Sequence, residues 1–141
     1  MRTPGLQPKP RVPRKKGIYI GAPKCFALEL ACRQLWDAFD EDDAFFGCYV
    51  VGSAMERPDW RDVDVVGIMA DAAFFKLFPG ATIHDFEFNP RWLIITVALS
   101  RWLSDQSGLP VDFKFQAMTH ANSMHHGPRS AIGLSKFKRA K

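Results

Sequence analysis

The chain reads as an α+β domain, a small mixed β-sheet with helices packed on one side. Three observations lead there. Apolar runs of strand length recur at 46–51, 62–69 and 110–116. Between the second and third runs, Asn89-Pro90 pairs an N-cap with a first-turn proline, and Gly108 stands where that helix should stop. A helix-length amphipathic segment precedes all of these, so the order helix, strand, turn, strand, helix, strand yields a sheet that helices must cover.

Each element has its own justification. Residues 23–39 form the first helix, with Phe26, Leu30, Leu35, Trp36 and Phe39 as its apolar stripe and Glu29, Arg33 and Asp37 off it. The acidic run at 40–43 ends it. Phe46 to Val51 is a buried strand, closed by Gly52-Ser53 and a polar connection containing Pro58. The second strand spans Asp62 to Met69. Asp71 is the expected N-cap of a short helix that Pro79-Gly80 terminates. The alternation in 82–88 fits an edge strand. In the third strand, at 110–116, Asp112 and Lys114 share one face, and Val111, Phe113 and Phe115 the other. Beyond Gln116 the chain reads as polar and irregular.

At 141 residues the chain is long enough for one domain with a sizeable core, and 47% hydrophobic content with twelve Phe and four Trp excludes disorder of its centre. The net charge of +4 is unevenly placed. Six positive residues lie in 1–16 and five in 129–141; the eight others share 17–128 with all fifteen acids, leaving that span at −7. The basic pI therefore belongs to the ends. Residues 1–16 read as a basic, Pro-rich flexible arm, 17–133 as the domain, and 134–141 as a basic tail. The arm has no apolar core of a secretory signal, and the longest apolar run, Trp92 to Leu99, is too short to span a membrane. Three cysteines without CxxC spacing argue against a disulfide framework and a zinc ribbon, so the expected compartment is the reducing cytoplasm.

The chemistry concentrates in VVGSAMERPDWRDVDVV at 50–66. Strand side chains alternate, so Asp62 and Asp64 share a face while Val63 and Val65 turn to the core. Two carboxylates held side by side repel, and a divalent cation relieves them; hard oxygen donors suit Mg²⁺ completed by substrate phosphates. The small turn Gly52-Ser53 lets backbone N–H groups approach a phosphate.

Val51-Gly52-Ser53, then Asp62-Val63-Asp64-Val65, then Val111-Asp112-Phe113 together resemble the motif of the nucleotidyltransferase superfamily, which includes polymerase beta, the CCA-adding enzymes and the minimal nucleotidyltransferases. The run RDVDVVGIM, then GLPVDFKFQ, then GPRSAIGL, is also similar to small stand-alone nucleotidyltransferase-like proteins of bacteria and their phages. The likeness covers roughly 24–133. A lone DxD is weak evidence, whereas GS, DxD and a later in-strand Asp in this order are more specific. One departure is the spacer: only eight residues separate Ser53 from Asp62, so the intervening helix must be brief or replaced by a loop around Pro58.

Carried over by position, the resemblance implies a nucleotidyltransferase-like fold in which Asp62, Asp64 and Asp112 are catalytic and hold two Mg²⁺ ions, with Mn²⁺ as a substitute. Asp112 would take the proton of the attacking hydroxyl. Gly52 and Ser53 would contact the phosphates of an NTP, with Arg57, Arg61 and Lys114 as nearby cations for the departing pyrophosphate and Arg129 as a more distant one. The acceptor, a hydroxyl on nucleic acid, protein or another molecule, is not specified. Other readings stay open. The same fold without catalysis would serve as a binding or regulatory, antitoxin-like protein, and the basic ends would suit a nucleic-acid-binding accessory protein. Residue by residue, Ser53 could be a turn residue and Asp112 an ion-pair partner of Lys114 or Arg61. Trp60 could stack on a base or plug the core, and His120, His125 and His126 fit solvated histidines better than metal ligands.

Overall fold

The computed structural model describes residues 18–124 and 129–133. The basic arm, the basic tail, His125 and His126 lie outside the described residues. In chain order the elements are α1 (Lys24–Phe39), β1 (Phe45–Val51), β2 (Val63–Met69), α2 (Asp71–Leu77), α3 (Pro90–Ser107), β3 (Val111–Ala117), α4 (Met118–Met124) and β4 (Ser130–Ile132). The four strands form one mixed sheet in the order β3-β2-β1-β4. β2 runs antiparallel to β1 and parallel to β3, and β4 runs antiparallel to β1. No helix among the described residues is long and apolar enough to cross a membrane.

Period-two alternation divides the sheet into two unlike faces. Val63, Val65 and Met69 of β2, Val111, Phe113 and Phe115 of β3, and Phe45, Cys48 and Val50 of β1 enter the main core with Leu28, Ala31, Cys32 and Leu35 of α1 and Leu103 of α3. Phe74 and Phe78, from α2 and its end, and Trp92 of α3 complete that layer. The buried stripe of α1 thus runs through 28, 31, 32 and 35, whereas Phe26 and Leu30, expected on it, are 65% and 56% exposed. α1 comes close to the end of β4 at Cys32, where a Cβ on Gly133 would stand 2.6 Å from the Cys32 Cβ. The opposite face carries a much smaller apolar patch, Val51, Val66, Ile68 and Ala121, with Tyr49 and Met118 beside it.

That patch accounts for α4, a helix in a segment expected to be irregular. Met118 and Ala121, three apart, are its apolar contacts with the sheet. Its first turn is capped from a distance: the Asp71 carboxylate accepts bonds from the Thr119 backbone N–H at 3.1 Å and the Thr119 hydroxyl at 2.6 Å. Asp71 is therefore not the N-cap of α2, a position Ala70 occupies. The supposed edge strand at 82–88 is a turn at 83–85 followed by a 3₁₀ turn, Phe86–Phe88. Thr82 and Asp85 explain it, since the Asp85 carboxylate accepts from the Thr82 N–H and hydroxyl and so ties the backbone into a local turn. The same bonds hold the Asp85 carboxyl below its ordinary range.

α3 begins and ends as its sequence dictates. Asn89 Oδ1 accepts from the Trp92 N–H at 3.1 Å, and Gly108 closes the helix in the left-handed region at φ 74°. Its inner face does something further. β3 is an edge strand, so the outward N–H and C=O groups of Val111, Phe113 and Phe115 lack a strand partner. Ser104 Oγ accepts from Val111 N–H at 2.9 Å and donates to its carbonyl at 3.3 Å; Ser100 does the same to Phe113, at 2.8 and 3.3 Å. The Trp92 indole N–H donates to the Phe115 carbonyl at 3.1 Å. One helical step of four residues advances about 6 Å and two strand residues about 6.6 Å, so helix and edge stay in register. Asp112 lies between the two serine-clamped residues. Ser100→Ala and Ser104→Ala are each expected to destabilise the fold by about 1–3 kcal/mol, because each leaves a half-buried N–H and C=O unpaired; urea unfolding with an unchanged midpoint would contradict this.

Candidate functional site

The two strands that bring the acidic residues together are neighbours, and their pairing decides the geometry. Across the open face of the sheet, Val51 of β1 stands opposite Asp64 of β2, which stands opposite Asp112 of β3. In a parallel pair such partners point the same way from strands about 4.8 Å apart. The next rows are Tyr49, Val66 and Lys114, then Gly47, Ile68 and Gln116. Asp64 and Asp112 are thus nearest neighbours on one face. Asp62 sits just outside β2, which starts at Val63 rather than at Asp62, and it is exposed at the rim.

Two cavities meet at Asp64. One, a cleft of about 570 Å³, is lined by Ser53, Arg57, Asp59, Arg61, Asp62 and Asp64. The other, about 260 Å³, runs over the open face past Gly52, Asp64, Asp112, Lys114 and Gln116, with Val51 and Val66 in its floor. The expected residues therefore divide between two sides of one carboxylate. Ser53, Arg57, Arg61 and Asp62 lie on one side, and Gly52, Asp112 and Lys114 on the other. A further cavity of about 340 Å³ lies at the other end of β2, with Phe39, Met69, Ala73 and Leu77 among its walls and no pair of facing carboxylates.

Gly52 fits its place by necessity. Its φ of 77° is one that other residues adopt only with strain, and a Cβ there would stand 2.5 Å from Asp64 Oδ2. Gly52 opens a single 3₁₀ turn, Gly52–Met55, which is all that the eight-residue spacer supplies by way of a helix. Ser53 anchors the turn through its carbonyl, which accepts from Glu56 N–H at 2.9 Å and Arg57 N–H at 3.0 Å. Gly52→Ala should cost about 1–3 kcal/mol through its left-handed backbone and also push the Asp64 carboxylate aside. Chemical denaturation measures the first effect, and wild-type stability in the variant would contradict it.

The Asp64 carboxyl is pushed above the ordinary aspartate value of 3.8, first by burial and then by the Asp112 charge; Lys114 opposes the shift and Asp62 adds to it. Neither Lys114 nor Arg61 comes within ion-pair distance of Asp112 among the described residues, so Asp112 is not the structural ion-pair partner that its sequence also allowed. Arg57 pairs with Asp59 at 3.3 Å, both well exposed, and such a surface pair contributes little and can be exchanged for a phosphate. Arg129 reaches the open face from the start of β4, 5.8 Å from the Tyr49 ring centroid and bonded to Asn122 Oδ1 at 3.3 Å. Trp60 belongs to the core edge: it packs there and its indole N–H donates to the Tyr19 carbonyl. His120 stands edge-on to Phe86, centroids 4.9 Å apart.

Among the described residues no three His, Cys, Asp or Glu side chains are gathered tightly enough to form a ready-made metal cage. The donors nonetheless suit a cation of the Mg²⁺ kind, which commonly takes one or two protein carboxylates and completes its shell with phosphate oxygens and water. A dication beside Asp64 would also favour the carboxylate that burial and then the Asp112 charge disfavour. Gln116 is the residue of this face that sequence reasoning passed over: it is only 6% exposed and its Oε1 has no hydrogen-bond partner. The available signal was its place two residues beyond Lys114 on the same face. No protein-family model matches the chain, and comparisons with curated proteins and with solved structures give no match either.

Proposed function

We propose that the protein is a Mg²⁺-dependent nucleotidyltransferase that moves a nucleoside monophosphate from an NTP to an acceptor hydroxyl and releases pyrophosphate. The observation that carries this reading is the pairing of Asp64 with Asp112 across adjacent parallel strands, beside a glycine that only a residue without a side chain could replace. Asp64 and Asp112 would hold the metal, with Asp62 at the rim of the adjoining cleft, and the bound cation would supply positive charge to the phosphate oxygens of the transferring group.

The protein's own groups have separate tasks. Ser53 and the backbone at Gly52 receive the triphosphate, and Arg57 and Arg61 line the cleft into which pyrophosphate would depart. The acceptor oxygen attacks the α-phosphorus from the side opposite the leaving group, a new P–O bond forms, and the bond to the β-phosphate oxygen breaks with its electron pair leaving on pyrophosphate. Asp112 takes the hydroxyl proton. Because charge is spread over oxygens rather than stored in a covalent enzyme intermediate, positioning and electrostatics carry the catalysis.

The short spacer, with one 3₁₀ turn in place of a longer helix, favours a second reading in which the same fold binds a partner without turnover. Incubation of the full chain with α-labelled NTP, Mg²⁺ and a panel of hydroxyl acceptors separates the two. Transfer predicts a labelled adduct, one pyrophosphate per adduct, and loss of both in EDTA; partner binding without either product would replace catalysis by the second reading.

A further inference from the structure

Gln116 is a buried polar side chain with an unused acceptor, at the far end of a cavity that begins at the paired carboxylates. Burial of an amide oxygen without a partner is unfavourable, and a ligand N–H reaching it through the cavity would supply the missing donor. The place of that ligand follows from in-line displacement, which puts the attacking and leaving groups on opposite sides of phosphorus. The cleft bearing Arg57 and Arg61 and the cavity bearing Asp112 and Gln116 share only Asp64, so with pyrophosphate in the first, the second is left for the acceptor.

We propose that this second cavity is the acceptor pocket, and that Gln116 selects the acceptor by accepting a hydrogen bond from an N–H group at the end remote from the attacking hydroxyl. The assignment rests on the transferase reading. Asp112 and Gln116 are four residues apart on one strand face, about 13 Å along the backbone, so a ligand that touches both is extended. Between them the floor is apolar, Val51 and Val66, and Lys114 stands midway on the same face. A flat heteroaromatic body in that cavity would lie beside Lys114, where a cation against a ring face is favourable. The acceptor class these features describe is a nucleoside-like molecule: a hydroxyl at one end, a ring in the middle, and a ring amine facing Gln116.

Adenosine and purine riboside, which differ only in the exocyclic amine, are suitable probes for the full chain, followed through the ¹⁵N-labelled side-chain amide of Gln116. Adenosine should shift that signal saturably, and purine riboside should bind at least about tenfold more weakly, the equivalent of about 1.4 kcal/mol. Gln116→Met should lose at least about tenfold in adenosine affinity, yet fold no less stably than the wild type, because it removes an unpaired buried oxygen while keeping the volume. An unmoved Gln116 signal, equal binding of the two nucleosides, or unchanged adenosine affinity in Gln116→Met would each overturn the acceptor pocket. Carboxylate-dependent transfer with any of those results would leave the transferase reading standing alone. Gln116-dependent adenosine binding without transfer would instead remove that reading and keep a nucleoside site.

Discussion

Asp64→Asn is expected to abolish nucleotidyl transfer and, in the same protein, to raise the thermal stability of the metal-free fold at neutral pH. The loss should exceed about 10³-fold, since a metal-borne contribution of several kcal/mol to transition-state charge stabilisation disappears with one ligand. The gain follows from the direction of the Asp64 shift. Its carboxyl is raised above 3.8 in the folded chain by burial and by the Asp112 charge, so the ionised form is the one the fold disfavours. A group raised in this way contributes stability below its unfolded pKa and loses it as pH climbs through the folded value. Metal-free wild type should therefore lose stability between pH 3.8 and neutrality relative to Asp64→Asn, and Mg²⁺ should restore it only in the wild type. Labelled-NTP transfer assays measure the loss, and thermal melts across that range, with and without Mg²⁺, measure the stability effects; parallel melting curves for the two proteins would remove Asp64 from the metal site.

The largest stability effect belongs to the other face of the sheet, on the neighbouring strand β3. Phe115 is fully buried and meets Phe39, Phe45, Phe78 and Phe113 edge-on or tilted, with centroids 4.9 to 6.1 Å apart. It joins β3 to α1, β1 and the end of α2 at one point, while its neighbours Lys114 and Gln116 face the open side. Phe115→Ala removes those ring contacts and leaves a cavity, at an expected cost of about 3–5 kcal/mol. That is a large part of the stability of any domain this size. Equilibrium denaturation should show it as a lower midpoint at unchanged slope. A loss below 1 kcal/mol would mean that the aromatic layer collapses around the gap, and that β3 is held chiefly by Ser100 and Ser104.

How much of this was legible beforehand depended on whether the deciding interactions were local. Asn89, Pro90 and Gly108 act on the backbone beside them, and they bound α3 as read. Period-two alternation placed Asp112 and Lys114 opposite Phe113 and Phe115 without any knowledge of the partner strand. The resemblance implied only that Asp112 shares a metal site with Asp62 and Asp64; the register that sets Asp64 beside Asp112 was not legible, because nothing in the spacing fixes which residues of two parallel strands align. Residues 82–88 misled because Phe86 and Phe88 alternate with acids as in a strand, yet Phe88 is 81% exposed and the Thr82–Asp85 bonds bend the chain. α4 and its cap from Asp71 were invisible because the two lie 48 residues apart. The bonds of Ser100 and Ser104 to β3 carry no sequence signal, because they depend on which strand α3 lies against.

The most direct measurement is a crystal structure of the chain with NTP and Mn²⁺, located by its anomalous signal. The prediction is a peak ligated by the carboxylates of both Asp64 and Asp112, with the triphosphate running into the cleft of Ser53, Arg57 and Arg61. Manganese bound elsewhere, or bound with Asp112 turned away, would contradict the transferase site.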